Sequence, residues 1–423
     1  MSTAEKTLQR HVDLLCTNAR PAARAVALLP DAKRRAALKA AATAIAAARS
    51  AIEKANALDL AQAERDGLSA AMIDRLRLGG KRLDSVIADL RQVATLPDPV
   101  GQVLEKRTIA QGIKAEKISV PIGVVAIIFE SRPNVTIDAA SLCLRAGNAC
   151  ILRGGKEAVH SNRALATAFR AGLKKAGVNP DVVQLVQEQD RALIPLLLSR
   201  DDALDLVIPR GGEALIKAVV ACSKVPVIKH DKGVCSLYVH AKADLRMALA
   251  LVMNAKCQRP GVCNAIENLW VDQAIAKSFL PALSKALQKA NVEVRADGRA
   301  RLMMPNAIRA TVEDWTTEYL SLTLAVGVVD NLDDAILKTE TFGSHHSDGI
   351  ITRDAKAAER YLAEVDSACV YHNASTRFTD GGQFGFGAEV GISTNRVHAR
   401  GPMGIRELCT YKWLCRGKGQ ARE

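Results

Sequence analysis

Residues 120–155 read VPIGVVAIIFESRPNVTIDAASLCLRAGNACILRGG, and the order of residue types in this stretch decides the fold class. VPIGVVAIIFE is a continuous apolar run, as a strand buried on both faces requires. TIDAASLCLRAG has helical character and a stop at Gly147. NACILRGG is the next strand. Strand, helix and strand in immediate succession predict a right-handed crossover in a parallel sheet.

Downstream the alternation continues. KEAVHSNRALATAFRAGLKKAG, DRALIPLLLSR and EALIKAVVACSK read as helices, and VVQLVQE, LDLVIPRGG and VPVIKH as strands. After the turn at Asp231-Lys232-Gly233 a second α/β series starts with the strand VCSLYVH. A helix follows whose Leu245, Leu249, Val252 and Met253 share one face. The loop CQRPGVCN leads into the strand AIENLWVD, and the series runs to about residue 370. TRFTDGGQFGFGAEVGIST reads as loop. Upstream, residues 1 to about 95 are helical, and Ala32 to Ala55 is rich in Ala, Lys and Arg without the heptads of a coiled coil. TIAQGIKAEKIS, from Thr108, predicts two extended strands or a hairpin. In the basic tail from Arg400, YKWLC reads as a strand.

The composition narrows the function. Lys and Arg exceed Asp and Glu by 13, which fits either a nucleic-acid partner or anionic small ligands. Aromatic residues are only 4%, few for stacking on bases, and no nucleic-acid recognition motif occurs. The expectation is therefore no nucleic-acid partner. No apolar run reaches the ~20 residues of a membrane span, and the N-terminus has no apolar signal segment. A cytoplasmic protein is expected, with its ten cysteines reduced and mostly filling core space. With no CxxC and no HExxH, no metal is expected.

Four places could carry chemistry. LRGG (Leu152 to Gly155) and PRGG (Pro209 to Gly212) each join a strand to a helix. There a backbone without Cβ and a helix N-terminus favour anions, and Arg153, Lys156 and Arg210 add charge. They suit a phosphate-bearing cofactor or are plain structural turns. In CQRPGVCNAIE, Cys257 and Cys263 flank a loop. Either a thiol near Arg259 is a nucleophile or both cysteines pack. In ESRPNVT, Arg132 suits an anion, and Asn134 is either an oxyanion donor or the N-cap of the next helix. His345 and His346, adjacent in FGSHHSDGIIT, make a poor metal site and read as surface or loop histidines.

Together these segments, with HDKGV, YLSLTLAVGVVDNLDDAI and NASTRFTDGGQFGFGAEVGIST, resemble the gamma-glutamyl phosphate reductase (glutamate-5-semialdehyde dehydrogenase) family of the aldehyde dehydrogenase superfamily. The resemblance runs in order over nearly the whole chain. It implies an aldehyde-dehydrogenase-like α/β fold. Residues 1–235 would be a Rossmann-like NADP domain and 236–405 a catalytic domain. The 105–120 hairpin and the segment 406–423 would form a small oligomerisation flap. It further implies NADPH-dependent reduction of L-glutamate 5-phosphate to L-glutamate 5-semialdehyde, with release of phosphate, in proline biosynthesis. The alternative is another acyl-phosphate or aldehyde oxidoreductase of the superfamily.

The resemblance also distributes roles. In Q-R-P-x-V-C-N-A, here Gln258 to Ala265, Cys263 is the nucleophile and Cys257 is not. Asn134 takes the oxyanion-stabilising position. Arg153, Gly154, Gly155 and Lys156 fall at the adenosine-ribose site, with Arg153 and Lys156 toward the 2′-phosphate. Arg210, Gly211 and Gly212 fall at the pyrophosphate, and Glu318 at the nicotinamide ribose. Arg132, Arg259 and Arg377 bind the substrate's anionic groups. The segment that carries a water-activating glutamate in hydrolytic members reads Lys229-His230-Asp231-Lys232-Gly233, without glutamate, which leaves His230 or Asp231 as a candidate base for Cys263. A homo-oligomer, and association with the preceding kinase, are expected partners.

Overall fold

A computed structural model describes residues 3–229 and 232–422, the side chains of Ala4 and Ala71 excepted. The chain forms two compact units: Met1–Lys229 with Gly385–Gly391 and Met403–Glu423, and His230–Phe384 with Ile392–Pro402.

The first unit opens with five helices, α1 (Thr3–Ala27), α2 (Asp31–Ala47), α3 (Arg49–Arg65), α4 (Ala70–Leu76) and α5 (Lys81–Val93). A hairpin follows, β1 (Val103–Thr108) antiparallel to β2 (Lys114–Pro121). Then strands and helices alternate: β3 (Val124–Phe129), α6 (Val135–Arg145), β4 (Ala149–Arg153), α7 (Val159–Lys175), β5 (Val183–Leu185), α8 (Leu193–Leu198), β6 (Leu206–Arg210) and α9 (Glu213–Cys222). The sheet order is β5-β4-β3-β6, with every pairing parallel. Val12, Cys16 and Ala19 of α1 pack on Val124, Ala126 and Ile151, so the N-terminal helix covers one face of the sheet.

The apolar run that reads as one strand is two. Gly123 stands between β2 and β3 at φ +133°, where a Cβ would lie 2.1 Å from an Asp205 carboxylate oxygen. That carboxylate accepts from Val124 N at 2.7 Å and pairs with Arg20 at 2.5 Å. The break diverts β2 into a separate sheet and starts β3 in the core. Among its described residues VPVIKH makes an isolated bridge, Val207 to Val227, and Pro226 has no N–H to extend the ladder.

The second unit is a parallel sheet of order β10-β9-β11-β8-β7-β12-β13. Its strands are β7 (Cys235–Val239), β8 (Ile266–Asp272), β9 (Glu293–Ala296), β10 (Ile308–Arg309), β11 (Thr323–Val329), β12 (Ser347–Ile351) and β13 (Cys369–His372). Helix α10 (Leu245–Cys257) lies between β7 and β8. Leu237, Leu269 and Val326 pack in one apolar cluster, Tyr238, Trp270 and Ile350 in another. Alternate residues of the same strands thus serve two cores, which is why these strands carry almost no polar alternation. The Gly- and Phe-rich stretch is not all loop: it contains a 3₁₀ turn, Thr376–Phe378, and the strand β14 (Gly391–Ser393). After β15 (Gly401–Met403), the last strand, β16 (Cys409–Arg416), adds antiparallel to β2. Among the described residues no helix is long and apolar enough to cross a membrane.

Candidate active site

In the first unit the chemistry-bearing residues follow the carboxyl ends of β3, β4 and β6. A cavity of about 320 Å³ opens there, lined by Glu130, Arg153, Gly155, Lys156, Gln189 and Arg191 among others. Arg153 is 6% exposed, and its Nη2 donates to the Gln189 carbonyl at 3.1 Å. Burial and the Arg191 charge both disfavour its ionised form. Arg153 is thus part of the wall, whereas Lys156 and Arg191 are exposed. Gly155 and Gly211 border Glu157 and Glu130, which a Cβ at either glycine would overlap. Gly212 N donates to Glu130 at 3.2 Å. Gly154 is packed on Asn162 and Phe129. Arg210 does not line the cavity; its field acts instead on Asp138.

The ESRPN segment is fixed by a group that sequence reasoning missed. Ser131 sits at φ +47°, a conformation that costs a non-glycine residue free energy unless its surroundings impose it. Glu157 imposes it, accepting from Ser131 N at 2.5 Å and Ser131 Oγ at 2.9 Å. Arg132 and Asn134, both partly buried, leave the chain just beyond. Asn134 precedes α6, but its side chain makes no capping bond. Its Nδ2 donates to the Asp138 carboxylate at 2.8 Å. The capping alternative is therefore not what the side chain does.

In the second unit Cys263 lies between α10 and β8, partly buried. Gly233 is pressed on it: a Cβ there would stand 2.3 Å from the Cys263 carbonyl oxygen and 2.7 Å from its Cβ. The buried Cys235 thiol donates to the same carbonyl at 3.1 Å and lies 3.5 Å from His346 Nδ1. Burial pushes the Cys235 thiol far up, so it stays protonated and can donate. Asn264 Nδ2 donates to Thr379 O, and Thr376 Oγ1 donates to Asn264 O, both at 2.7 Å. These bonds bring the turn carrying Arg377 to the Cys263 loop, where Arg377 Nε donates to Gln258 Oε1 at 2.8 Å. Burial first, then the neighbouring Arg259 charge, hold the Arg377 guanidinium below its usual range. Arg259 is exposed; Arg132 belongs to the other unit.

The ends of this loop are joined by a fully buried ion pair. Lys256 Nζ donates to Ile266 O at 3.0 Å and to Glu267 Oε2 at 2.5 Å, with both side chains 0% exposed. The other Glu267 oxygen accepts from Leu320 N at 3.2 Å, two residues after Glu318. Glu318 itself is partly buried. Burial drives the pair toward neutrality, raising the Glu267 carboxyl to about 7 and lowering the Lys256 ammonium. Cys257 packs against the apolar core, and burial raises its thiol.

His346 is a loop histidine, as expected, but a buried rather than a surface one: it stands immediately before the buried strand β12, and its Nδ1 meets Ser347 Oγ at 2.8 Å. His345 is partly exposed. His230 and Asp231, the candidate bases, lie outside the described residues.

This fold, with a cysteine on a pinned loop in one α/β unit and a basic cavity in the other, has known counterparts. The profile of the aldehyde dehydrogenase family matches residues 1–318. An acetylating aldehyde dehydrogenase from Geobacillus thermoglucosidasius shares the fold at TM-score 0.70 and 17% identity, covering all of both chains. The chain belongs to the aldehyde dehydrogenase superfamily and, within it, to the gamma-glutamyl phosphate reductase family. Two reductases of that name are similar to it over nearly their whole length. That of Nautilia profundicola is 50% identical over 95% of this chain and 98% of its own, and that of Opitutus terrae 50% identical over 98% and 99%. The crystal structure of the Thermotoga maritima reductase has TM-score 0.95 and 42% identity, covering 98% of this chain and 100% of that one. The superfamily's chemistry is oxidoreduction at an aldehyde with a nicotinamide cofactor.

Proposed function

We propose that this chain reduces L-glutamate 5-phosphate to L-glutamate 5-semialdehyde with NADPH, releasing phosphate, in proline biosynthesis. The observation that carries the reading is the nucleophile loop. Cys263 stands on a short turn whose backbone is fixed from three sides, with Arg259 and Arg377 beside it.

The Cys263 thiolate attacks the acyl carbonyl. A C–S bond forms and the C–O bond to phosphate breaks, with the electron pair leaving on phosphate. Phosphate is a good leaving group, so this step asks little of a general acid. When bound, the nicotinamide cofactor supplies the hydride. Asn134 Nδ2 donates to the oxyanion that develops at the reduced carbon. Collapse of the thiohemiacetal breaks the C–S bond, returns the electron pair to Cys263 and frees the aldehyde. The Lys229 to Gly233 segment carries no glutamate where hydrolytic relatives place theirs; a reductase gains by keeping its thioester from water. Arg377 and Arg259 take the substrate's anionic groups, with Arg132 as the third cation.

The cavity fits one end of a nucleotide cofactor: it has the size of a small ligand site, and Lys156 and Arg191 supply exposed cations for phosphate. The NADPH preference rests on those cations. The three-stranded sheet β1-β2-β16 exposes Val103, Leu104, Tyr411 and Trp413, an apolar edge suited to pairing with a second copy in a homo-oligomer. A cytoplasmic enzyme receiving its labile substrate directly from the preceding kinase completes the reading. The test is phosphate-dependent NADP reduction with glutamate 5-semialdehyde, for the wild type and Cys263→Ala. Turnover in the wild type alone is expected; equal turnover in the variant overturns the mechanism.

A further inference from the structure

Asp138 lies one helical turn beyond Asn134, so the two side chains meet on one face of α6. The Asn134 Nδ2 to Asp138 Oδ2 bond is 2.8 Å. The Ser141 hydroxyl, close by, is spent on the Asp138 backbone carbonyl. Among the described residues, the amide of Asn134 is the side-chain donor that meets this carboxylate. The charged groups whose fields reach it are Asp89 on α5, Arg210 at the end of β6, and Glu389 in the 385–391 segment. Two of the three are anionic.

We propose that Asp138 is a positioning residue that sets which way the Asn134 amide faces, and that turnover is gated by its protonation. The inference rests on the oxyanion role assigned to Asn134 above. A carboxylate can only accept. It therefore selects the amide orientation with the nitrogen toward Asp138, and the second N–H of that nitrogen is left to donate elsewhere. A protonated Asp138 can instead donate to the amide oxygen. The amide then turns over, and the group presented to a developing oxyanion is no longer fixed as a donor. Burial raises this carboxyl to about 7, with Asp89 and Glu389 adding to the rise and Asn134 and Arg210 opposing it. The switch thus falls in the physiological range.

The bland alternative is that Asp138 only complements the positive end of α6. That role would alter stability slightly and leave the pH profile unmoved. The experiment is kcat against pH from 6 to 9 for the wild type, Asp138→Asn, Asp138→Glu and Asn134→Ala, with melting temperature and the Cys263 alkylation rate measured on each. The wild type is expected to lose turnover below about pH 7. Asp138→Asn, whose own amide no longer dictates the partner's orientation, should lower kcat at pH 8 about tenfold and abolish that acid limb. KM for the cofactor and the alkylation rate should stay within twofold of wild type. Asp138→Glu should restore part of kcat together with a titrating limb. An Asp138→Asn profile that keeps the wild-type acid limb overturns the gate while leaving Asn134 in place. Wild-type kcat in Asn134→Ala overturns the oxyanion role itself.

Discussion

In the first unit the candidate residues follow the carboxyl ends of β3, β4 and β6; in the second they precede the amino ends of β7, β8, β11 and β12, as Gly233, Cys263, Leu320 and His346 show, except Arg377, which a 3₁₀ turn after β13 brings to them. The first arrangement is the usual one for open α/β sheets, where strand ends and helix N-termini offer N–H groups to anions. It supplies charge on long exposed side chains around a cavity. The second offers no such dipole. It instead fixes backbone: a glycine contact, a thiol to carbonyl bond and an amide stitch act on the eight residues from 258 to 265, and a buried ion pair joins the residues that flank them. If the proposed roles hold, cofactor phosphates are met by exposed side chains, whereas the thiol is aimed from a fixed backbone, as a reacting group requires.

The comparison breaks first at the nucleophile. Cys263→Ala should lower kcat about 10⁴-fold, as loss of a covalent nucleophile does elsewhere, with cofactor binding unchanged by fluorescence titration. If the loop is rigid because of its ion pair, Lys256→Met should destabilise the protein by about 3–5 kcal/mol by leaving the buried Glu267 carboxyl without its partner. Chemical denaturation measures this, and Lys256→Met with Glu267→Leu should recover most of it. A single variant as stable as wild type would show that the pair clamps nothing. Gly233→Ala is milder. Its new methyl must displace the Cys263 backbone, and a shift near 1 Å should cost about 10²-fold in kcat with little change in melting temperature.

Much of this was legible beforehand. The parallel α/β character followed from apolar runs alternating with helical periodicity, and Cys263 was singled out by the resemblance of its loop. Other features hid for identifiable reasons. Lys256 follows Val252 and Met253 by four and three residues, so it continues the apolar face of α10. Glu267 interrupts an otherwise apolar strand. Each is an anomaly alone; only the fold makes them partners. Asp138 stood at the i+4 spacing from Asn134 and was visible in principle. Gln189 and Arg191 carried no signal, because they reach the cavity from a turn distant in sequence from the LRGG strand end. The split of the long apolar run at Gly123 depends on Asp205, some eighty residues on, which no local reading contains.

The smallest effect is expected at the first-unit cavity, the proposed cofactor site. The resemblance pairs Arg153 and Lys156 at the 2′-phosphate, but their settings differ. Arg153 is buried and holds Gln189 O, so Arg153→Ala loosens the wall that carries Gln189 and Arg191. It should weaken NADPH and NADH alike. Lys156 is exposed, with its ammonium available at the cavity. Lys156→Ala should raise KM for NADPH about tenfold, the worth of one hydrogen bond to a charged group, and leave KM for NADH within twofold. Arg191→Ala should resemble Lys156→Ala. Steady-state kinetics with both cofactors decides the matter. An unchanged NADPH preference in both exposed-residue variants would mean that discrimination is built into fixed groups here too, and the contrast between the two units would then fail.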